Sequence, residues 1–549
     1  MGDYFDLGTH HLPVTTSSAM AQTWFDRGLI WCYGFNHDEA IVCFRHALEH
    51  DPGCAMAYWG IAYASGPNYN KPWEAFDPID LAKSIAESHA AIVKAAQICP
   101  AAPRLEQALI AALQARCPAA LPENIAILNN EYAKAMALVY REFPAHPDVA
   151  TLYSEAMMNR TAWQLWNITA GKPADGSDTL KIIEVLERAM AHTAAPHPGL
   201  LHMYIHTMEM SPTPEKALRA SDLLRGLVPD SGHLQHMPTH IDVLCGHYNA
   251  AVEWNEAGIV ADRKYMERQG PLNFYSLYRC HNYHFKAYCA MFLGQFKPAI
   301  EAAREMVASL PEELLRIQSP PMADWLEPFV PAEFHVLIRF GKWEEIIAKP
   351  FSADRALYSF TTASQRYARA VAFAALGDVA SATREAGEFD AEAAAVPEGR
   401  KLMNNFCKDI LAIAREMMLG EIAYREGDFD KAFAHLHQSV SLDDNLPYDE
   451  PWGWMQPTRH ALGALLLERN RVEEAAAVYR ADLGLDGTLP RACQHPDNVW
   501  SLHGYYECLH RFGRKVEARL IKQRLDLANA RTDTPIKASC FCKLGSRSP

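Results

Sequence analysis

One spacing recurs along much of this 549-residue chain and constrains its fold more than any other feature. A glycine is followed five positions later by an alanine at Gly246/Ala251, Gly294/Ala299, Gly377/Ala382, Gly427/Ala432 and Gly513/Ala518. Asn470/Ala475 repeats the spacing with asparagine in the glycine place, and asparagine also tolerates left-handed backbone at a helix end. Around these pairs lie alanine-rich segments with apolar residues at i, i+3, i+4 and i+7, such as AIEAAREMVASL and RHALGALLLERN. Alternating Val/Ile/Thr runs bounded by Asn-Gly or Asp-Gly turns are missing. The pattern predicts an all-α chain of helix pairs, each closing on a tight turn.

The first unit is the most complete. Residues 21–54 place Trp24, Gly28, Trp31, Ala40, Phe44, Ala47 and Pro52 at unit positions 4, 8, 11, 20, 24, 27 and 32. This set resembles the tetratricopeptide repeat (TPR), and the resemblance extends over most of the chain. It implies an α-solenoid of helix pairs, A then B, wound into a right-handed superhelix. Each unit then buries its apolar face only against its neighbours. Ala217 with Pro229, Pro311 and Trp343 mark further units, while residues 80–195 read as helical but without a frame. The expected divisions are an N-terminal TPR and helical section at 1–195, a central histidine-bearing section at 196–312, a C-terminal TPR section at 313–530 and an extended tail at 531–549. Proline-rich breaks are expected at 170–178, 319–328 and 446–457.

Composition narrows the partners. Lys+Arg 52 against Asp+Glu 66 gives a net charge of -14, the wrong sign for displacing counterions from nucleic acid. No apolar run approaches the roughly 20 residues that span a bilayer, and the start lacks a secretory h-region. Thirteen cysteines, mostly inside helical patterns, fit a reduced cytoplasmic protein better than a disulfide scaffold.

Histidine is the residue type that stands out. Eight of the chain's 24 histidines fall within residues 202–284, about twice an even share. His202 and His206 are i, i+4 in LLHMYIHTME; His233, His236 and His240 are i, i+3, i+7; His281 and His284 are i, i+3. Each set shares one helix face. In the repeat frame they occupy positions 5 and 9, then 2, 5 and 9, then 2 and 5 of three successive A helices. The TPR resemblance implies that these positions line the concave groove. Packed helix axes lie roughly 8–10 Å apart, so imidazoles from neighbouring helices can meet at one point. Glu209, at position 12, joins the same surface.

Neutral imidazole is the commonest metal ligand, and a mostly histidine donor set suits copper, iron, zinc or nickel rather than magnesium or calcium. The expected function is therefore a metal-dependent enzyme, an oxidoreductase with copper or iron favoured and zinc possible. Its ligands would be His202, His206, His233, His236, His240, His281 and His284. Glu209, Tyr204 and Tyr283 would take acid–base or redox roles, with Tyr288 beside them. A small-molecule or peptide substrate would enter the groove. The competing reading is a non-catalytic TPR scaffold that binds a peptide or partner protein there, the histidines being core or hydrogen-bonding groups. A Lys/Arg carboxylate clamp is not expected, because these groove positions hold His and Glu. The segments HPGLLHMYIHTMEMS, GHLQHMPTHI and YSEAMMNRTAWQLW resemble a set that occurs together in bacterial and fungal TPR-containing proteins of uncharacterised role.

Lesser signals complete the reading. Glu155 and Asn159 are i, i+4 and could wall the centre from the preceding helix. Trp59 reads as packing between repeats, and Tyr63 with residues 66–70 as a pocket cap. His460, His503 and Glu507 read as solvated groove residues, and His247 lies in an A–B turn. His10 and His11 precede the first unit and have no frame. Cys540 and Cys542 form a CxC pair, a candidate soft-metal or redox motif.

Overall fold

The computed structural model describes residues 4–543. Its chain divides into two compact units: residues 1–241 with 257–270, and residues 242–256 with 271–549. Each is an all-α array of TPR-type helix hairpins. The strands among the described residues are two short antiparallel hairpins, Trp166–Asn167 with Lys172–Pro173 and Lys401–Leu402 with Asn405–Phe406. The second strand of the first hairpin, Lys172–Pro173, falls inside the break expected at 170–178.

In the first unit the helices Ala19–Tyr33 and His37–His50 form the opening hairpin. Its packing explains two glycines. A Cβ on Gly28 or on Gly60 would each fall 2.5 Å from the Phe44 ring, so Phe44 seats between backbones that only glycine lets approach. Burying such a ring contributes about 1.5–3 kcal/mol. The second unit uses the same device, with Tyr479 seated against Gly463 and Gly504. The turn residues behave as their spacing predicts: Gly246, Gly294, Gly377, Gly427, Gly513 and Asn470 all have positive φ.

The unframed stretch is helical, through Pro78–Ile98, Arg104–Leu113, Ala126–Glu142, Pro147–Met158 and Thr179–His192. The N-terminal segment, which has no periodicity to read, laces across the first unit. Tyr4 OH donates to Glu39 at 2.6 Å, Asp6 N–H to Asp230 at 2.8 Å, and Thr15 N–H to Glu106 at 2.7 Å.

In the second unit the tail packs against the repeats. Residues 531–543 lack helix, but Ala538, Ser539, Phe541 and Cys542 are buried against the repeats; residues 544–549 lie outside the described part. Cys540 and Cys542 are joined as a disulfide. No helix among the described residues is long and apolar enough to cross a membrane.

Candidate metal centre

Two segments of the first unit build the centre. The helix Pro198–Glu209 is N-capped by His197, whose Nδ1 accepts the Leu200 N–H at 3.2 Å, and Pro198 sits at its tolerant first turn. His202, His206 and Glu209 project from one side of it. The other three histidines do not share one helix as their spacing suggested. His233 and His236 lie on Gly232–His236, Pro238 opens a second short helix, Pro238–Leu244, and His240 lies on that. Proline lacks the N–H that would continue the first helix, so the chain breaks there and restarts.

The imidazoles still converge. Ring centroids are 4.8 Å apart for His202–His206, 4.9 Å for His202–His233, 5.7 Å for His206–His240 and 4.7 Å for His236–His240. His202 Nε2 lies 3.1 Å from His233 Nε2, and His236 Nε2 lies 2.7 Å from His240 Nε2. Donor atoms of His202, His206 and His233 all fall within 4.8 Å of one another, and so do those of His206, Glu209 and His240.

The outer nitrogens decide what the inner ones can do. His202 Nδ1 is 2.6 Å from the Tyr33 carbonyl oxygen, which can only accept, so Nδ1 carries the proton and Nε2 presents a lone pair. Glu209 spans two further rings, its Oε1 2.9 Å from His206 Nδ1 and its Oε2 2.8 Å from His240 Nδ1. An ionised Glu209 fixes both in the same tautomer. Carboxylate or carbonyl oxygen on one nitrogen and a free lone pair on the other is the usual support of a metal-bound histidine. Glu209 is thus engaged by two imidazoles at once.

Burial corrects the expected setting. His202, His206, His233, His236, His240 and Glu209 are each no more than 1% exposed, so they do not line an open peptide groove. Burial holds the His202 imidazolium down to a pKa of about 3, although the Tyr33 carbonyl works the other way. His202 is therefore neutral at physiological pH, the form a metal needs.

An aromatic wall closes one side; Tyr69 belongs to the segment 66–70 expected to cap a pocket, whereas Phe35 and Trp163 were not singled out in the sequence. Phe35 lies 4.6 Å from the His202 ring and 5.8 Å from His206, stacked on the latter. Tyr69 is 5.0 Å and Trp163 5.9 Å from His206. Phe35 and Trp163 both have left-handed backbone, φ 56 and 59. That conformation costs a non-glycine residue on the order of 1–3 kcal/mol and collects at functional sites. A signal was present, because Phe35 occupies the turn position that holds glycine in most other units.

A second His–carboxylate cluster in this unit makes an instructive contrast. His10 Nε2 and His197 Nε2 lie 2.9 and 3.2 Å from Asp148 Oδ1, and Tyr33 OH donates to the same oxygen at 2.6 Å. Burial opposes ionisation of Asp148, but the hydrogen bonds from His10 and His197 hold its carboxyl well below the usual range. Since His197 Nδ1 accepts from Leu200, its proton is on Nε2 and points at Asp148. That is a clasp for the N-terminal segment, with no inward lone pair.

The other candidate residues have settings of their own. Tyr204 donates to Glu187 at 2.8 Å and lines a cavity of about 550 Å³ with Met190, Leu200 and Leu223. Glu155 accepts from Tyr63 at 3.0 Å and from Asn159 at 2.5 Å; burial raises its pKa and Arg116 opposes the rise. Trp59 stacks on Tyr63, as a packing residue does. His281, His284 and Tyr283 are buried in the second unit on Ser276–Phe292. Burial lowers His284 to about 3, and its ring meets Phe329 edge-on. Tyr288 OH lies 3.1 Å from His495 Nε2. His460 is not solvated: it is buried 2.9 Å from Asp482, with Arg339 donating to its Nδ1 at 2.8 Å. His503 and Glu507 are half-buried.

No protein-family model matches the chain, and no curated protein matches it. Among solved structures, the crystal structure of Ypp1 matches over 96% of this chain and 67% of its own, at 10% identity and a TM-score of 0.35. The human IFIT1 dimer with m7Gppp-AAAA matches over 94% and 91%, at 11% identity and a TM-score of 0.32. Yeast Tom70 matches over 92% and 99%, at 11% identity and a TM-score of 0.27. At these values the likeness concerns the helical fold and nothing in the site.

Proposed function

We propose that this chain is a TPR-type scaffold for a peptide or protein partner, acting in the cytoplasm, and that its first unit is built around a histidine metal centre. The observation that carries the metal is the tautomer lock: Tyr33 O and both oxygens of Glu209 hold His202, His206 and His240 by Nδ1. Imidazoles held by Nδ1 in this way fit zinc, copper or iron. Elemental analysis of tag-free protein tests it, with near-stoichiometric metal expected and trace metal refuting it.

The scaffold role rests on the hairpin arrays and on the cavity beside Tyr204. Its floor is apolar, and Lys216 and Arg219 stand exposed at its edge. That chemistry suits a partner segment that pairs an apolar side chain with an acidic group. A peptide array varying those two features tests it. Lys216→Glu with Arg219→Glu should abolish binding to the preferred peptides, and unchanged binding would refute the assignment.

A metal-dependent oxidoreductase is the second reading, favoured by the mostly histidine donor set. A bound copper or iron ion would supply one-electron or O2 chemistry. Glu209 would keep the rings aligned, and the Phe35, Tyr69 and Trp163 wall would exclude water. Reductant-driven O2 consumption by metal-loaded protein, lost in His206→Ala, separates this reading from the non-catalytic one.

A further inference from the structure

The C-terminal CxC pair has a buried third partner. Glu421 lies on the helix Cys407–Glu426, fully buried, one turn beyond Met417 and one turn before Arg425. Neither carboxylate oxygen of Glu421 makes a hydrogen bond. Arg425 Nη2 is 3.8 Å from Oε2, and burial raises the carboxyl's pKa against that attraction. An isolated buried carboxylate is costly unless a cation meets it. The donor atoms of Glu421, Cys540 and Cys542 lie within 4.8 Å of one another.

The tail is held over Glu421 by contacts that do not involve sulfur. Arg339 donates to the Ser539 carbonyl, Ser539 OH donates to the His460 carbonyl at 2.8 Å, and Arg425 donates to the Cys542 carbonyl. The Phe541 ring packs edge-on against Trp500 at 5.9 Å. Opening the disulfide therefore leaves both cysteines positioned. Beside Cys540 is a cavity of about 20 Å³, lined by Tyr367, Met417, Gln456 and His460. That is room for one water.

We propose that, once reduced, Cys540, Cys542 and Glu421 form a zinc site with water as fourth ligand. A dithiol reductant passes two electrons and two protons to the Cys540–Cys542 bond, giving two thiols, and is itself oxidised to a disulfide. Zinc then binds both sulfurs and releases the two thiol protons to solvent. Two thiolates and one carboxylate carry three negative charges, which Zn2+ and the Arg425 guanidinium balance. Two sulfurs, one carboxylate oxygen and one open position suit tetrahedral zinc. Reoxidation of the thiols by a disulfide oxidant removes two ligands and expels the ion. The site is independent of the histidine centre.

The test uses the full chain, reduced, freed of reductant under anaerobic conditions and titrated with Co2+ as a spectroscopic stand-in for zinc. One equivalent should produce a sulfur-to-cobalt charge-transfer band, absent from the oxidised chain. The band should vanish in Cys540→Ser with Cys542→Ser and survive in His240→Ala. Glu421→Gln should weaken Co2+ binding at least tenfold. No band in the reduced chain, a band unchanged by the double substitution, or unchanged affinity in Glu421→Gln would each overturn the proposal. X-ray absorption of zinc-loaded wild type avoids any folding defect of the variants. Sulfur neighbours are expected beside the nitrogen neighbours contributed by the histidine centre, and none would overturn the site.

Discussion

His202 Nδ1 lies 2.6 Å from the backbone carbonyl oxygen of Tyr33, and this contact sets the chemistry of the opposite nitrogen. The ring is locked as the Nδ1–H tautomer with its Nε2 lone pair turned toward His233. With a pKa held near about 3, it stays neutral through mild acid. Nitrogen-15 NMR of metal-free protein at neutral pH should therefore show His202 protonated at Nδ1. Protonation at Nε2 would contradict the assignment.

Glu209 holds His206 and His240 at once, so its loss should loosen two ligands while removing none. Supporting carboxylates of this kind typically account for 10–100-fold in metal affinity. Glu209→Gln should lower affinity by about that factor, with the helical spectrum intact. Competitive titration against a chromophoric chelator measures it, and unchanged affinity would remove Glu209 from the centre.

His240 and His247 form an internal pair of test and control. His240 is buried on Glu209, whereas the His247 side chain is 52% exposed and 3.8 Å from Asp242. His240→Ala should abolish metal loading of the centre, and His247→Ala should leave loading and melting temperature within error. Equal effects of the two would separate the histidine phase from any metal role.

Acid should destabilise the chain in a defined window. Burial lowers His37, His202 and His284 to about 3 and His335 and His460 to about 4. A depressed folded pKa means that the unfolded chain binds the proton first. The stability these neutral rings hold is complete above the unfolded value near 6.5 and is lost as pH falls toward 4 to 3. At pH 4.5 each group costs on the order of 2 kcal/mol. Thermal melts from pH 7.5 to 4.5 should fall steadily below about pH 6.5. A flat profile across that range would contradict the burial.

Gly28 offers a test of the fold that leaves the centre alone. A Cβ there meets the Phe44 ring at 2.5 Å, so Gly28→Ala should destabilise the first unit by about 1–3 kcal/mol. Chemical denaturation checks it, and no change in midpoint would mean that Phe44 is not seated as described.

These residues also show what was legible in the sequence. The left-handed turns at Gly377, Gly427 and Asn470 were readable because a helix pair needs that backbone at a fixed repeat position. The pairing of His202 with His206 and of His233 with His236 was readable because side-chain direction follows the helical period, whereas His240 lies beyond the break at Pro238. Their burial was not, since groove positions are open in the repeat the chain resembles, and here Phe35, Tyr69 and Trp163 close over them. Those aromatics arrive from turns and loops, where no periodicity announces a long-range contact. The lacing of His10 onto Asp148 and the docking of Ser539 on Tyr479 were hidden for the same reason.

The most direct test of the account is the metal content of tag-free protein, measured by elemental analysis in the Cys540→Ser, Cys542→Ser background so that only the histidine centre reports. The account predicts about one equivalent or more of copper, iron or zinc after growth with those metals, falling to trace in His240→Ala. Trace metal in the parent, or equal metal in parent and His240→Ala, would contradict it.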